Sequence, residues 1–164
     1  MRDLVRCFIF AAVSVLMLPL HALCDSSQVT IAISAPLSPV NLHSQIVVQV
    51  VMTNSTDKNI VVNKSVGGAH PELYYEIEAS KENGRPVRLT KYGRDVLARN
   101  FVPVSRIQKT LKPNETLEES AVVSDLFDMS LPGKYTIKFK RSDPLNSHVK
   151  LISNAVEIQV AKIK

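Results

Sequence analysis

Apolar residues in this chain recur at every second position rather than at every 3.6, and that period calls for extended strands. "SQIVVQVVMTN" (Ser44–Asn54) puts Ile46, Val48, Val50 and Met52 on one face. Its other face carries Val47, Gln49, Val51 and Thr53, so the stretch reads as a central strand buried partly on both sides. "NSTDKN" supplies turn chemistry, and "IVVN" resumes as a short strand. "LYYEIEAS" sets Leu73, Tyr75 and Ile77 against Tyr74, Glu76 and Glu78. Asn83-Gly84 is a strong hairpin signal, after which "VRLT" is predicted to return as a strand. "TLEESAVVS" and "KYTIKFK" are further strands, and "NAVEIQVAKI" closes the pattern with Val156, Ile158 and Val160 on one side. Between Tyr92 and Leu111 the alternation weakens, which predicts a long loop with room for a short helical turn. No amphipathic helix stands out. Roughly seven to nine strands joined by short turns predict an all-β, immunoglobulin-like antiparallel β-sandwich.

The most patterned stretch is "DLFDMSLPGKYTIKFK" (residues 125–140). Leu131, Pro132, Gly133 and Tyr135 precede a strand that turns Tyr135, Ile137 and Phe139 inward. In sandwiches of this kind a Tyr at the start of such a strand folds over the preceding corner and bonds back to backbone. Pro132 fixes φ, Gly133 opens conformations closed to other residues, and Leu131 and Tyr135 are expected to be buried. The motif is punctuation for the fold rather than a site.

The N-terminus reads "MRDLVRCFIFAAVSVLMLPLHALCD", with Arg2 and Arg6 ahead of an apolar run from Cys7 to Leu20. A basic start, a short apolar core and a small-residue exit are the parts of a secretory signal peptide. Cleavage after Cys24 uses Ala22 and Cys24, and cleavage after Ala22 uses Leu20 and Ala22; the first is preferred. The apolar run, broken by Pro19 and His21, is short of the roughly 20 residues that span a bilayer. The expected organisation is a leader at 1–24 and one sandwich domain at 25–164, exported to the periplasm or beyond with no stable membrane span. Both cysteines, Cys7 and Cys24, then leave with the leader, so the exported domain has no disulfide, thiol chemistry or cysteine metal site.

Four stretches together, "VVQVVMTNSTDKNIVV", "YYEIEASKENGRPVRLTKYGR", "LKPNETLEESAVVSDLFDMSLPGKYTIKFK" and "SNAVEIQV", resemble small secreted bacterial immunoglobulin-like domains. The chain is similar in style to the sandwich domains that accompany deuterolysin-like secreted metallopeptidases, and to the domain named after a bacilli intracellular proteinase inhibitor. The resemblance covers most of residues 29–161 and implies a sandwich. The H-E-x-x-H zinc motif of the peptidases is absent, so no catalytic role carries over.

Chemistry by convergent side chains finds little support. His43, His70 and His148 are widely spaced, and no spacing sets two imidazoles on one metal. Ser147 and His148 are adjacent, which aims them apart rather than into a nucleophile–base pair. "VGGAHPE" lacks the Lys of a phosphate loop and reads as a Gly-rich turn. The expectation is a non-enzyme with no cofactor and no metal. The sequons at Asn54, Asn63 and Asn114 read as turn residues in a bacterial chain.

Charge is more informative. The chain holds 20 Lys and Arg against 15 Asp and Glu, and the leader removes only Arg2, Arg6 and Asp3. The remaining excess is modest and implies no specific nucleic-acid partner. It is concentrated in Arg85, Arg88, Lys91, Arg94, Arg99, Arg106, Lys109 and Lys112, opposed within that segment only by Asp95. Tyr92 and Phe101 lie among them. Arg beside aromatic side chains on a loop suits carboxylates, phosphates and anionic polymers. Tyr92, Arg94, Arg99, Phe101 and Arg106 are therefore the expected contacts to a protein or an anionic envelope polymer. A secreted peptidase inhibitor, acting through loops at one end of the sandwich, is the alternative.

Overall fold

A computed structural model describes residues 28–37, 39–65, 71–97 and 106–162. The proposed leader at 1–24 and His70 lie outside the described residues. The chain folds as an all-β sandwich. One sheet has the order β1-β3-β7, built from β1 (Val29–Ser34), β3 (Val47–Asn54) and β7 (Thr116–Val122). The other runs β2-β10-β8-β5, from β2 (Val40–Asn41), β10 (Val156–Ala161), β8 (Gly133–Ser142) and β5 (Glu76–Lys81). The short β9 (Lys150–Ile152) pairs the far end of β8. A separate ribbon joins β4 (Ile60–Ser65) to β6 (Arg106–Leu111). Every named pairing is antiparallel except the two-residue contact of β10 with β2.

Period two in the sequence becomes burial. On β3, Val48, Val50 and Met52 are fully enclosed while Val47, Val51 and Thr53 are half-buried, as a central strand requires. Facing them across the core are Tyr135, Ile137 and Phe139 of β8 and Ile158 and Val160 of β10. Each such aliphatic side chain withdrawn from water contributes about 1.5–3 kcal/mol. Asn154 closes one flank. It accepts the Ile33 N–H (2.8 Å) and donates to the Ile33 carbonyl (2.9 Å), standing in for a neighbouring strand on the edge of β1.

The corner at 131–135 forms as expected, with the Tyr135 hydroxyl donating to the Leu131 carbonyl at 2.7 Å. Gly133 has φ 153°, a conformation favouring glycine. Leu131 departs from expectation: its side chain is 59% exposed. The corner needs only the Leu131 carbonyl, which leaves the side chain free to point outward. "VRLT" also departs, since Leu89 makes a single bridge with Phe127, and the preceding Pro86 one with Ser80, rather than a strand. The weak region after Tyr92 contains β6 as well as a helix, α1 (Lys91–Leu97). A second, one-turn helix α2 (Val123–Leu126) follows β7.

The sequon residues divide. Asn54 is fully buried, and its side-chain amide is directed at the carbonyls of Lys58, Leu111 and Lys112. Its oxygen accepts from the backbone and hydroxyl of Thr56, so the side chain ties two turns together and has no room for a glycan. Asn114 occupies an exposed left-handed turn position at φ 62°.

Candidate partner-binding surface

Helix α1 contains Gly93 and is only seven residues long, too short to persist by propensity alone. Its neighbours hold it. The Thr90 hydroxyl accepts the Gly93 N–H at 2.9 Å, an N-cap, and the Thr90 N–H donates to the Leu126 carbonyl at 3.0 Å. Gly93 lies so close to α2 that a Cβ there would run into the Leu126 carbonyl. Tyr92 donates its hydroxyl to Glu72 at 2.7 Å, fastening α1 to the 3-10 turn at Pro71–Leu73. Burial, and then the Glu72 carboxylate, push the Tyr92 pKa well above the usual phenol range.

What α1 turns outward is cationic. Lys91 and Arg94 are exposed, and Arg94 donates to the Leu89 carbonyl at 2.9 Å. Arg85 and Arg88 are exposed on the preceding extended segment, which the Asp128 N–H secures through the Arg88 carbonyl at 2.8 Å. In sequence only Asp95 opposes this group; in space Asp128 joins it. The Asp128 carboxyl is held below the usual range chiefly by the Ser130 hydroxyl and N–H, with Arg88 and Lys81 adding to the effect. Of the five expected contacts, Tyr92 and Arg94 share α1. Tyr92 is committed to seating the helix, and Arg94 is open to solvent. Arg99 and Phe101 lie outside the described residues, and Arg106 opens β6 with its side chain likewise outside them. Lys109 is engaged by Glu115 at 3.1 Å.

A cleft of about 250 Å³ lies beside this surface, between the turn after β2 and the segment following α2. His43, Ser124, Asp125 and Ser130 are among its lining residues, which are the types a hydrolase uses. They do not form a catalytic relay. Ser130 donates its hydroxyl to Asp128, Ser124 accepts the Ile46 N–H, and the His43 imidazole bonds to none of them. Among the described residues no three His, Cys, Asp or Glu side chains gather closely enough to hold a metal ion.

Charge is also buried between the sheets. Arg141 on β8 donates to the Tyr75 hydroxyl at 3.2 Å and to the Asn63 carbonyl, and lies 3.8 Å from Glu119 on β7. Tyr75 in turn donates to Glu119 at 3.0 Å, and the guanidinium sits 5.1 Å from the Tyr75 ring centre. Sequence reasoning passed over this group although its signal was present. Glu119 falls in phase with Leu117 and Ala121, and Arg141 in phase with Ile137 and Phe139.

No protein-family model matches the chain, and a search of curated proteins returns no match. Among solved structures, the chain is similar to a CARDB domain from Pyrococcus furiosus in complex with di-metal ions. The TM-score is 0.40 at 11% identity, over 81% of this chain and 87% of that one. A solution structure of the same domain gives 0.40 at 13% identity, over 83% and 96%. No helix among the described residues is long and apolar enough to cross a membrane.

Proposed function

We propose that this is an exported, non-enzymatic immunoglobulin-like domain that binds another protein or an anionic envelope polymer through the cationic surface on and before α1. One observation carries the reading: Arg88, Lys91 and Arg94 are exposed on backbone that is firmly seated, so a partner meets them anchored at the main chain. Fixing the backbone that bears the charges before contact lowers the ordering cost of binding and favours partners of complementary pattern. The test is crosslinking in the native organism followed by mass spectrometry. Crosslinks from Lys91 to one partner support the reading, whereas crosslinks concentrated on the opposite face of the sandwich would overturn it.

The inhibitor reading has its own support in Leu131. That side chain is 59% exposed in a loop tied by the Tyr135 hydroxyl to the Leu131 carbonyl and by Ser130 to Asp128. A rigid loop presenting an apolar side chain suits a peptidase cleft. Assays against metallo-, serine and cysteine peptidases decide it, and no inhibition at micromolar concentration removes it.

A further inference from the structure

We propose that the cleft beside α1 receives one cationic side chain, an Arg or Lys, from the protein partner. This rests on the protein-binding reading above and adds a second contact of opposite charge. At about 250 Å³ the cleft is smaller than the roughly 300–1,000 Å³ of ordinary small-molecule sites, and suits a single long side chain. Buried Ile46 and Met129 line its wall, giving an aliphatic stem an apolar surface to lie along. The formal charges in the lining, Asp125 and Asp128, are both negative, which favours a cation and disfavours an anion.

The two carboxylates are not equivalent. Asp128 already accepts from the Ser130 hydroxyl and N–H, and Arg88 and Lys81 stand near it. The Asp125 carboxylate accepts no hydrogen bond among the described residues, and the side chains of His43 and Gln45 in the same lining make none either. Asp125 is also held in place. It belongs to α2, whose turn closes through the Phe127 N–H to the Val123 carbonyl at 3.0 Å, and its own carbonyl accepts the Thr90 hydroxyl. A guanidinium entering the cleft thus meets an exposed, uncommitted carboxylate on a fixed backbone, with the Gln45 amide in the same lining, the setting of a charge-assisted hydrogen bond. Because Thr90 both caps α1 and borders the cleft, the cationic surface and the cleft share one wall. The partner is accordingly expected to carry an acidic patch next to a protruding Arg or Lys.

The test is an NMR titration of the purified protein with N-acetyl-arginine amide, against N-acetyl-citrulline amide as a neutral isostere. The proposal expects saturable shifts confined to residues 41–46 and 124–130, affinity about tenfold weaker for citrulline, and loss of the response in Asp125→Asn. Equal responses to both probes, shifts spread over the whole surface, or an unchanged Asp125→Asn response would each overturn it. Native partner retention by Asp125→Asn separates the two readings. Retention equal to wild type, with no arginine response, removes the cleft and leaves the cationic surface; a wild-type protein that retains no partner removes the binding reading itself.

Discussion

Between the sheets, Arg141 is enclosed by Tyr75, Glu119 and the Asn63 carbonyl, whereas on α1 Arg94 stands in solvent with a single bond to the Leu89 carbonyl. The two arginines belong to the same chain and do different work. Withdrawn from water, a guanidinium needs polar partners around it, and those partners become hostages to it. Left in water beside a rigid helix, it costs the fold almost nothing and remains available to a partner. The contrast separates positions that maintain this sandwich from positions that are free to serve binding.

The largest effect should come from breaking the buried side of that contrast. Arg141→Met strands the Glu119 carboxylate between the sheets and is expected to cost about 3–5 kcal/mol, read from urea midpoints. Combining it with Glu119→Gln should return much of that loss. If the double variant is as unstable as the single one, the network is not what Arg141 maintains.

Next comes the seat of the helix. Gly93→Ala pushes a methyl group at the Leu126 carbonyl and should cost about 1–3 kcal/mol, together with a loss of partner retention as α1 shifts. A smaller change follows at the corner. Tyr135→Phe removes the bond to the Leu131 carbonyl and should lower stability by about 1 kcal/mol while the strand register survives, as hydrogen exchange on β8 can verify.

The smallest effect belongs to the outer face of the second sheet. There Lys150 meets Glu76 at 2.6 Å, and Lys140 meets Glu78, all partly or largely exposed. Lys150→Ala should change stability by no more than about 0.5 kcal/mol, with thermal melts nearly superimposed. A clear destabilisation would mean that surface pairs within a sheet, and not only the buried one, hold the fold together.

The same contrast explains what was legible in the sequence. β3, β7, β8 and β10 follow from alternation because each has one face in the core and one outside. The Tyr135 corner was legible because its parts are local. Leu131 was misjudged because an apolar letter beside a corner does not reveal whether the corner uses its side chain or its carbonyl. Helix α1 was legible only as room for a short helical turn in an expected loop, because "KYGRDVL" has poor helix propensity and its support comes from Thr90, Glu72 and Leu126, the last two remote in sequence. The opposition of Asp128 to Arg88, the cleft at Asp125 and the pairing of Glu119 with Arg141 likewise depend on contacts that form only when the sheets close. The inward phase of those last two charges was nonetheless written in the strands.

The central claim, that the cationic surface at α1 is where this domain meets its partner, is tested most directly by retention at fixed net charge. Arg88, Lys91 and Arg94 changed together to Glu are compared with Lys134, Lys138 and Lys140 changed together to Glu on the outer face of the second sheet. Both variants carry the same net charge. The account predicts that the first loses the native partner in a pull-down while the second keeps it. Equal retention by the two, or loss only in the second, would contradict it.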